Sequence, residues 1–506
     1  MNLLVRSHFI ILFFFTFTSQ AFSQTQKAVV AGDFADPSVI RKGNQYYAVG
    51  TSSEWAPHFP IFTSSNLLDW KQTGYVFDKA PEWTSGSFWA PEYYFHKGTY
   101  FLYYTARRKK DGVSYIGVAT SKFPDKGFKD HGVIIEHGKE AIDAFVYDDN
   151  GQLYITFKAY GLDKRPIEIL GSKLSADGLK LEGETFSLLK DVKGVGIEGQ
   201  SILKRGDYYY LFYSAGNCCG IKCDYDVRVA RAKSLTAPFE EFQNNPILAE
   251  TKDWKCPGHG TFVNTPAGKT FYLYHSYSKQ SNVFTGREGM LAELSWNAET
   301  GWPALKPETT AEAAIKKSAN SVVDNFDGKM VSNAWQWDFR NSTPVVKQIN
   351  GSLNLSGVIK EGNNSGIALT RRPVSTNFTA ITTVTNQNSA LKGLVFYGDA
   401  NAALGLGVTA NKIEYWVVKN NKREVIGSET LSAINKPVGL KIVAQSDLTC
   451  KVFYSEENGK WKELKGEGDY SYKFLPQWDR SPRVGLNFNG DANQNAVFSS
   501  FTLTND

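Results

Sequence analysis

Five polar residues, Asp36, Glu92, Asp143, Glu198 and His259, recur along the chain at intervals of about 50 to 60 residues. Each leads the same phrase, which is fullest from Gly32 to Ser52 as G-D-F-A-D-P-S-V-I-R-K-G-N-Q-Y-Y-A-V-G-T-S. An acid opens an apolar strand, a Gly- or Asn-containing turn follows, and an aromatic strand returns. Carboxylates that meet in one water-filled pocket, with aromatics nearby and no nucleophilic serine or cysteine motif, have the chemical inventory of glycoside hydrolysis. One carboxylic acid protonates the leaving oxygen, one carboxylate activates water or attacks the anomeric carbon, and a third tunes the acid. Asp36, Asp143 and Glu198 fill those roles. A lone Asp-Pro would read as a turn start, but three acids in register among five repeats exceed what turn capping requires.

Positioning these residues needs an element that repeats. Five copies of an all-β unit of about fifty residues predict a five-bladed β-propeller, since each small sheet buries its faces only against neighbouring blades. With the leading residue at the head of each innermost strand, all five leaders point at one central cavity. The propeller is expected over residues 30–305. Residues 306–321, polar and rich in small side chains, read as a linker. From 322 to 506 alternation resumes in segments such as G-L-V-F-Y-G, K-I-E-Y-W-V-V and V-G-L-N-F-N-G without the propeller phrase, which predicts a separate β-sandwich.

Composition sets the class. With 14% aromatic and 21% charged residues, the 506-residue chain has ample core for two or three domains. A net charge of +5 without a basic run interleaved with aromatics argues against nucleic acid. Arg6, the apolar run Phe9 to Phe17 and small residues at Ala21 and Ser23 read as a signal peptide over 1–23, too short for a membrane anchor. The mature protein is thus expected in the periplasm or outside the cell, as a monomer with no membrane span. In that compartment Cys218, Cys219, Cys223 and Cys256 read as disulfide partners. A bond between the adjacent Cys218 and Cys219 is geometrically awkward, so each is expected to pair with Cys223 or Cys256. Cys450 reads as a lone buried thiol.

The ordered motifs A-D-P-S-V-I (35–40), W-A-P-E (89–92), I-D-A-F (142–145) and I-E-G-Q (197–200) resemble those of glycoside hydrolase family 43, over about residues 30–303. The resemblance implies an inverting glycosidase with Asp36 as general base, Asp143 adjusting pKa and orientation, and Glu198 as general acid. It also implies a separation of roughly 6.5 to 9.5 Å between the carboxyls of Asp36 and Glu198, room for a water. Where family members often show Glu-Gly-Pro, this chain has Glu198-Gly199-Gln200. The C-terminal region, opening with D-N-F-D-G and W-Q-W, resembles the concanavalin-like sandwich that some members append.

Flanking residues divide between pocket and packing. Trp89 is assigned to a sugar platform rather than an interblade filler, because it lies three residues before Glu92. Arg287, in T-G-R-E-G, resembles the family's arginine that reaches substrate hydroxyls; the alternative is a surface salt bridge. Trp55 walls the sugar subsite or packs its own loop. His259 matches the position where arabinan-degrading members hold an axial calcium ringed mostly by waters, the alternative being a core histidine. No cofactor is required for bond breaking, and calcium has a place at the axis. C-C-G followed by Y-D-V-R-V-A-R-A-K-S resembles arabinan-active members, so α-L-arabinofuranosidase is expected ahead of endo-arabinanase and β-xylosidase. A plant cell-wall glycan is the expected partner. A propeller lectin would not need a base, a modulator and an acid on separate blades.

Overall fold

The computed structural model describes residues 24–159, 166–311 and 321–505, apart from 329, 387, 433–435, 458 and 469–470. The expected signal peptide and the middle of the expected linker lie outside these residues. Among the described residues the chain is built of strands, with one 3-10 turn at Asn282–Phe284 and no α-helix.

Five four-stranded antiparallel sheets form the propeller. Their innermost strands are Ser38–Lys42, Thr84–His96, Ala141–Asp149, Ile197–Arg205 and Trp254–Asn264. A blade has neighbours on both faces, so its second strand is buried on both and reads as an almost unbroken apolar run, as in Tyr208–Ala215. This is why the aromatic content is high. One apolar cluster fills each gap between blades: Ile61 and Tyr104 between the first and second, Val118 and Phe157 between the second and third, Ile169 and Leu211 between the third and fourth, Phe212 and Tyr274 between the fourth and fifth, and Val39 with Leu273 where the ring closes.

The ring is sealed in part by segments outside the expected boundaries. Gln24–Gln26 pairs with Thr309–Ala311, and Val30 bridges to Gly289. Residues 306–311 are therefore propeller and not linker, because Pro303–Pro307 forms the outer strand of the fifth blade.

Residues 321–505 form the sandwich, with one sheet of eight strands and one of six. Its core joins Phe396, Leu440 and Phe498 to propeller residues Tyr277 and Phe284, so the domains share buried surface. Trp337–Asp338 pairs with Trp55–Ala56 of the propeller. This corrects the assignment of Trp55 to a sugar subsite. Its ring is 1% exposed, lies among Val395, Tyr397 and Trp416, and carries the Arg483 guanidinium 4.1 Å from its centroid.

The disulfide expectation is also corrected. Cys223 bonds Cys256, with a Cα separation of 6.0 Å, and the adjacent Cys218 and Cys219 bond each other. Gly216 and Gly220, at φ of 97° and 79°, let the chain reverse around the adjacent pair. Cys450 is free and buried.

Candidate active site

The site is built by a defect repeated in the innermost strands. Asp36, Ala90, Asp143, Gly199 and His259 all have positive φ, between 40° and 60°. Register shifts flank the last four, and such bulges re-aim side chains out of the pleat. The N–H of this residue is held by the preceding blade: Ala90 donates to Thr51 Oγ1, Asp143 to Thr105 Oγ1, His259 to Ser214 Oγ and Asp36 to His275 Nδ1. The repeating residue of the second blade is thus Ala90, not Glu92. Glu92 points between blades, where it accepts from Ser38 Oγ and the Val146 N–H. Burial pushes it up to about 8, so it is a neutral packing acid away from the cavity.

At the axis lies a cavity of about 440 Å³, lined by Asp36, Asp143, Glu198, Trp89, Arg287 and His259 among others. Six of the seven sequence-assigned site residues therefore meet there, with Trp55 excluded. Trp89 lines the wall, although the neighbour used to assign it, Glu92, is not in the cavity.

Asp36 is 7% exposed and held by two donors, with two histidines close by. Thr51 Oγ1 donates to Oδ2 at 2.6 Å and Arg287 Nη1 to Oδ1 at 3.0 Å; His275 and His259 Nδ1 lie 3.2 and 3.5 Å from Oδ1. Burial alone would push this carboxyl up, but Arg287 and the two histidines hold it well below the usual carboxylate range. Arg287 is buried, so a surface salt bridge is excluded. Its other arm donates to the Asp479 carbonyl of the sandwich at 3.2 Å.

Asp143 accepts from the Gly199 N–H at 3.2 Å and lies 3.9 Å from His259 Nδ1. Burial outweighs the pull of His259 and pushes it up to about 6. The Gln200 departure has a use here: its amide donates to the Asp143 carbonyl at 2.5 Å and to Thr156 at 3.2 Å, tying the two bulges together. Gly199 is obligatory, since a Cβ there would sit 2.7 Å from the His259 ring.

Glu198 accepts from Lys158 Nζ at 2.5 Å and from the Tyr225 hydroxyl at 2.9 Å. Burial raises its pKa, and the Lys158 charge and hydrogen bond overcome that and hold it below the ordinary glutamate value. The resting arrangement therefore keeps an ionised Asp36 and an ionised Glu198 in one pocket with Asp143, whose carboxyl takes up a proton more readily than either. Among the described residues no three His, Cys, Asp or Glu side chains gather to hold a metal ion. A cation beside His259 would take water for nearly all its ligands.

Sequence reasoning missed two groups. Lys158 is the one charged residue of the strand Gln152–Ala159, and His275 the one ionisable group besides tyrosines in Thr270–Ser278. Such isolation in an apolar strand was a usable signal. Trp478 and Asp479 gave none, because they reach the cavity from the sandwich. Asp479 accepts from the Trp89 indole N–H at 3.0 Å, and Trp478, 62% exposed, stands edge-on to Trp89 at 6.1 Å.

Residues 25–303 match the family described as Glycosyl hydrolases family 43, and residues 323–479 match the Beta xylosidase C-terminal Concanavalin A-like domain. The chain is 30% identical to an extracellular exo-α-(1→5)-L-arabinofuranosidase of Cellvibrio japonicus, over 54% of this chain and 86% of that one. It is 26% identical to a non-reducing end α-L-arabinofuranosidase of Bacteroides ovatus, over 70% and 69%. Other relatives carry the names of arabinanases and xylosidases. A crystal structure of a family 43 protein from Bacillus licheniformis superposes with a TM-score of 0.79 at 21% identity, covering 96% of this chain and 100% of that one. That likeness extends over both domains.

Proposed function

The chain belongs to glycosyl hydrolases family 43, and we propose that it releases terminal α-L-arabinofuranosyl residues from plant cell-wall glycans by a single inverting displacement. The observation that carries the exo reading is the sandwich segment Trp478–Asp479 at the cavity wall, bonded to Trp89 and Arg287. A wall supplied by a second domain narrows the opening to a pocket that accepts a chain end. An interior-cutting enzyme needs a cleft through which the chain passes. The names of the Cellvibrio and Bacteroides relatives support arabinose as the terminal sugar.

In this reading Asp36, ionised at every working pH, takes a proton from water as that water attacks the anomeric carbon. Arg287 and Thr51 fix the orientation of its carboxylate. Glu198 gives its proton to the leaving oxygen, so it must first gain one. A sugar ring that excludes water and draws Lys158 Nζ away removes what holds Glu198 ionised, and burial then favours the acid form. Asp143, the group that most readily holds a proton in the resting pocket, sets the charge against which Glu198 is titrated. No step requires a cofactor. Export to the periplasm or beyond fits the extracellular Cellvibrio relative, and among the described residues no helix is long and apolar enough to cross a membrane.

A β-xylosidase is the second reading, favoured by the match of residues 323–479 to a domain described from β-xylosidases. Product sizing over time on linear arabinan, arabino-oligosaccharides and xylo-oligosaccharides separates the readings. Single arabinose units from the start are expected. An early ladder of oligosaccharides would make the enzyme an endo-arabinanase, and xylose alone would make it a xylosidase.

A further inference from the structure

The Cys218–Cys219 disulfide lines the same cavity as the carboxylates. A cross-link between adjacent residues closes no loop of chain, so it removes almost no entropy from the unfolded state, where disulfides have their usual effect on stability. The loop that carries it is also held without it. Asn217 N–H donates to Asp224 Oδ1 at 2.7 Å, Asp224 N–H returns to the Asn217 carbonyl at 3.2 Å, and Cys223–Cys256 ties the loop to the fifth blade. The adjacent bond thus contributes little to the fold, while it gives the cavity wall two polarisable sulfurs and takes away two thiol donors.

Its place assigns it a side. The loop leaves the strand Tyr208–Ala215, in which Ser214 stands opposite Glu198. The wall continues into the sandwich, since a Cβ on Gly220 would lie 3.8 Å from the Trp478 indole. The proposed proton donor therefore shares its flank of the cavity with the disulfide and Trp478, and the leaving group must stand on the donor's flank.

The geometry points to the Cys218–Cys219 disulfide and Trp478 as a continuous, apolar leaving-group subsite that holds the sugar ring next to the scissile bond. The inference rests on the glycosidase reading above and adds which residues recognise the second sugar. Stacking of a ring's C–H face on sulfur and indole is sequence-tolerant, so the subsite takes a pentose or hexose ring with little regard to its hydroxyls.

The test compares two substrates that share the cleaved sugar. Arabinobiose fills the leaving-group subsite, whereas α-L-arabinofuranosyl fluoride has no ring to place there. For the variant Cys218→Ser with Cys219→Ser, kcat/KM on arabinobiose is expected to fall about tenfold further than on the fluoride, mainly through KM. Trp478→Ala, which leaves the loop intact, should show the same disparity and keeps the test valid should the double variant fail to fold. Equal losses on both substrates in Trp478→Ala, or no loss on either, would overturn the subsite. If the native enzyme proves to cut xylosides, xylobiose and xylosyl fluoride give the same ratio, so failure of the arabinose reading stays separate from failure of the subsite.

Discussion

The two flanks of the cavity hold carboxylates by opposite means. On the flank of the first and fifth blades, Asp36 is gripped by Arg287, whose planar guanidinium stays charged and is itself anchored to the Asp479 carbonyl. On the flank of the third and fourth blades, Glu198 is held by Lys158, a point charge on a flexible stem, and by one tyrosine hydroxyl. A permanent cation suits the proposed base, which must not hold a proton before water attacks. An ammonium on an unbranched stem suits the proposed acid, which must change protonation state in each turnover. The fold thus distinguishes the proposed base from the proposed acid through the type of cation placed behind each, more than through burial, which both share.

The largest effects should come from breaking the carboxylates themselves. Asp36→Asn should lower kcat by about 10³-fold or more on every substrate, whatever the leaving group. Glu198→Gln should lose comparably on arabino-oligosaccharides and far less on aryl arabinosides with acidic phenols. Equal losses on both substrate types would place Glu198 outside proton donation.

Changing Lys158 should act next. Lys158→Met removes the charge that holds Glu198 ionised, so burial should raise the acid's pKa and carry the alkaline limb of the kcat/KM profile to higher pH. An unmoved limb would mean that another group sets it. A lower kcat at the optimum is also expected, of about tenfold, because the acid loses a positioning contact.

Asp143 gives a stability test with a fixed sign. Its pKa rises from 3.8 to about 6 on folding, so the folded state binds its proton more tightly and this group's contribution to stability falls as pH rises from about 4 to 6. Asp143→Asn should therefore raise Tm at pH 7, by a few degrees, while activity falls. An unchanged or lower Tm would show that the carboxylate is better compensated than its burial implies. The smallest catalytic effect belongs to Trp55. Trp55→Ala should cost about 3–5 kcal/mol of stability at the domain interface, read by thermal unfolding, and leave KM on arabinobiose unchanged. A several-fold rise in KM would return Trp55 to the sugar site.

How much of this was legible in the sequence follows from how far each signal travels along the chain. The five repeats and the three acids were readable because a blade is a local unit and its innermost strand carries its polar residue at a nearly fixed offset. Glu92 was misplaced by two residues, since alternation keeps i and i+2 on one face only in a regular strand, and the bulge at Ala90 breaks that rule. Lys158 comes from the second strand of blade three and Tyr225 from the residue before the third strand of blade four, and only the folded sheets bring them to Glu198. Trp478 and Asp479 were unreadable, because their approach depends on how two domains meet. Trp55 was misread for the same reason: its partner strand, Trp337–Asp338, lies in the sandwich. The adjacent disulfide was set aside on geometry that two flanking glycines relieve.

The most direct test of the separate base and acid is the configuration of the first sugar released. Proton NMR during early turnover of an α-L-arabinofuranoside should show β-L-arabinofuranose first, with the α anomer growing in only as the free sugar mutarotates. An initial α product would make Asp36 a nucleophile and contradict the assignment of water activation to the Arg287 flank.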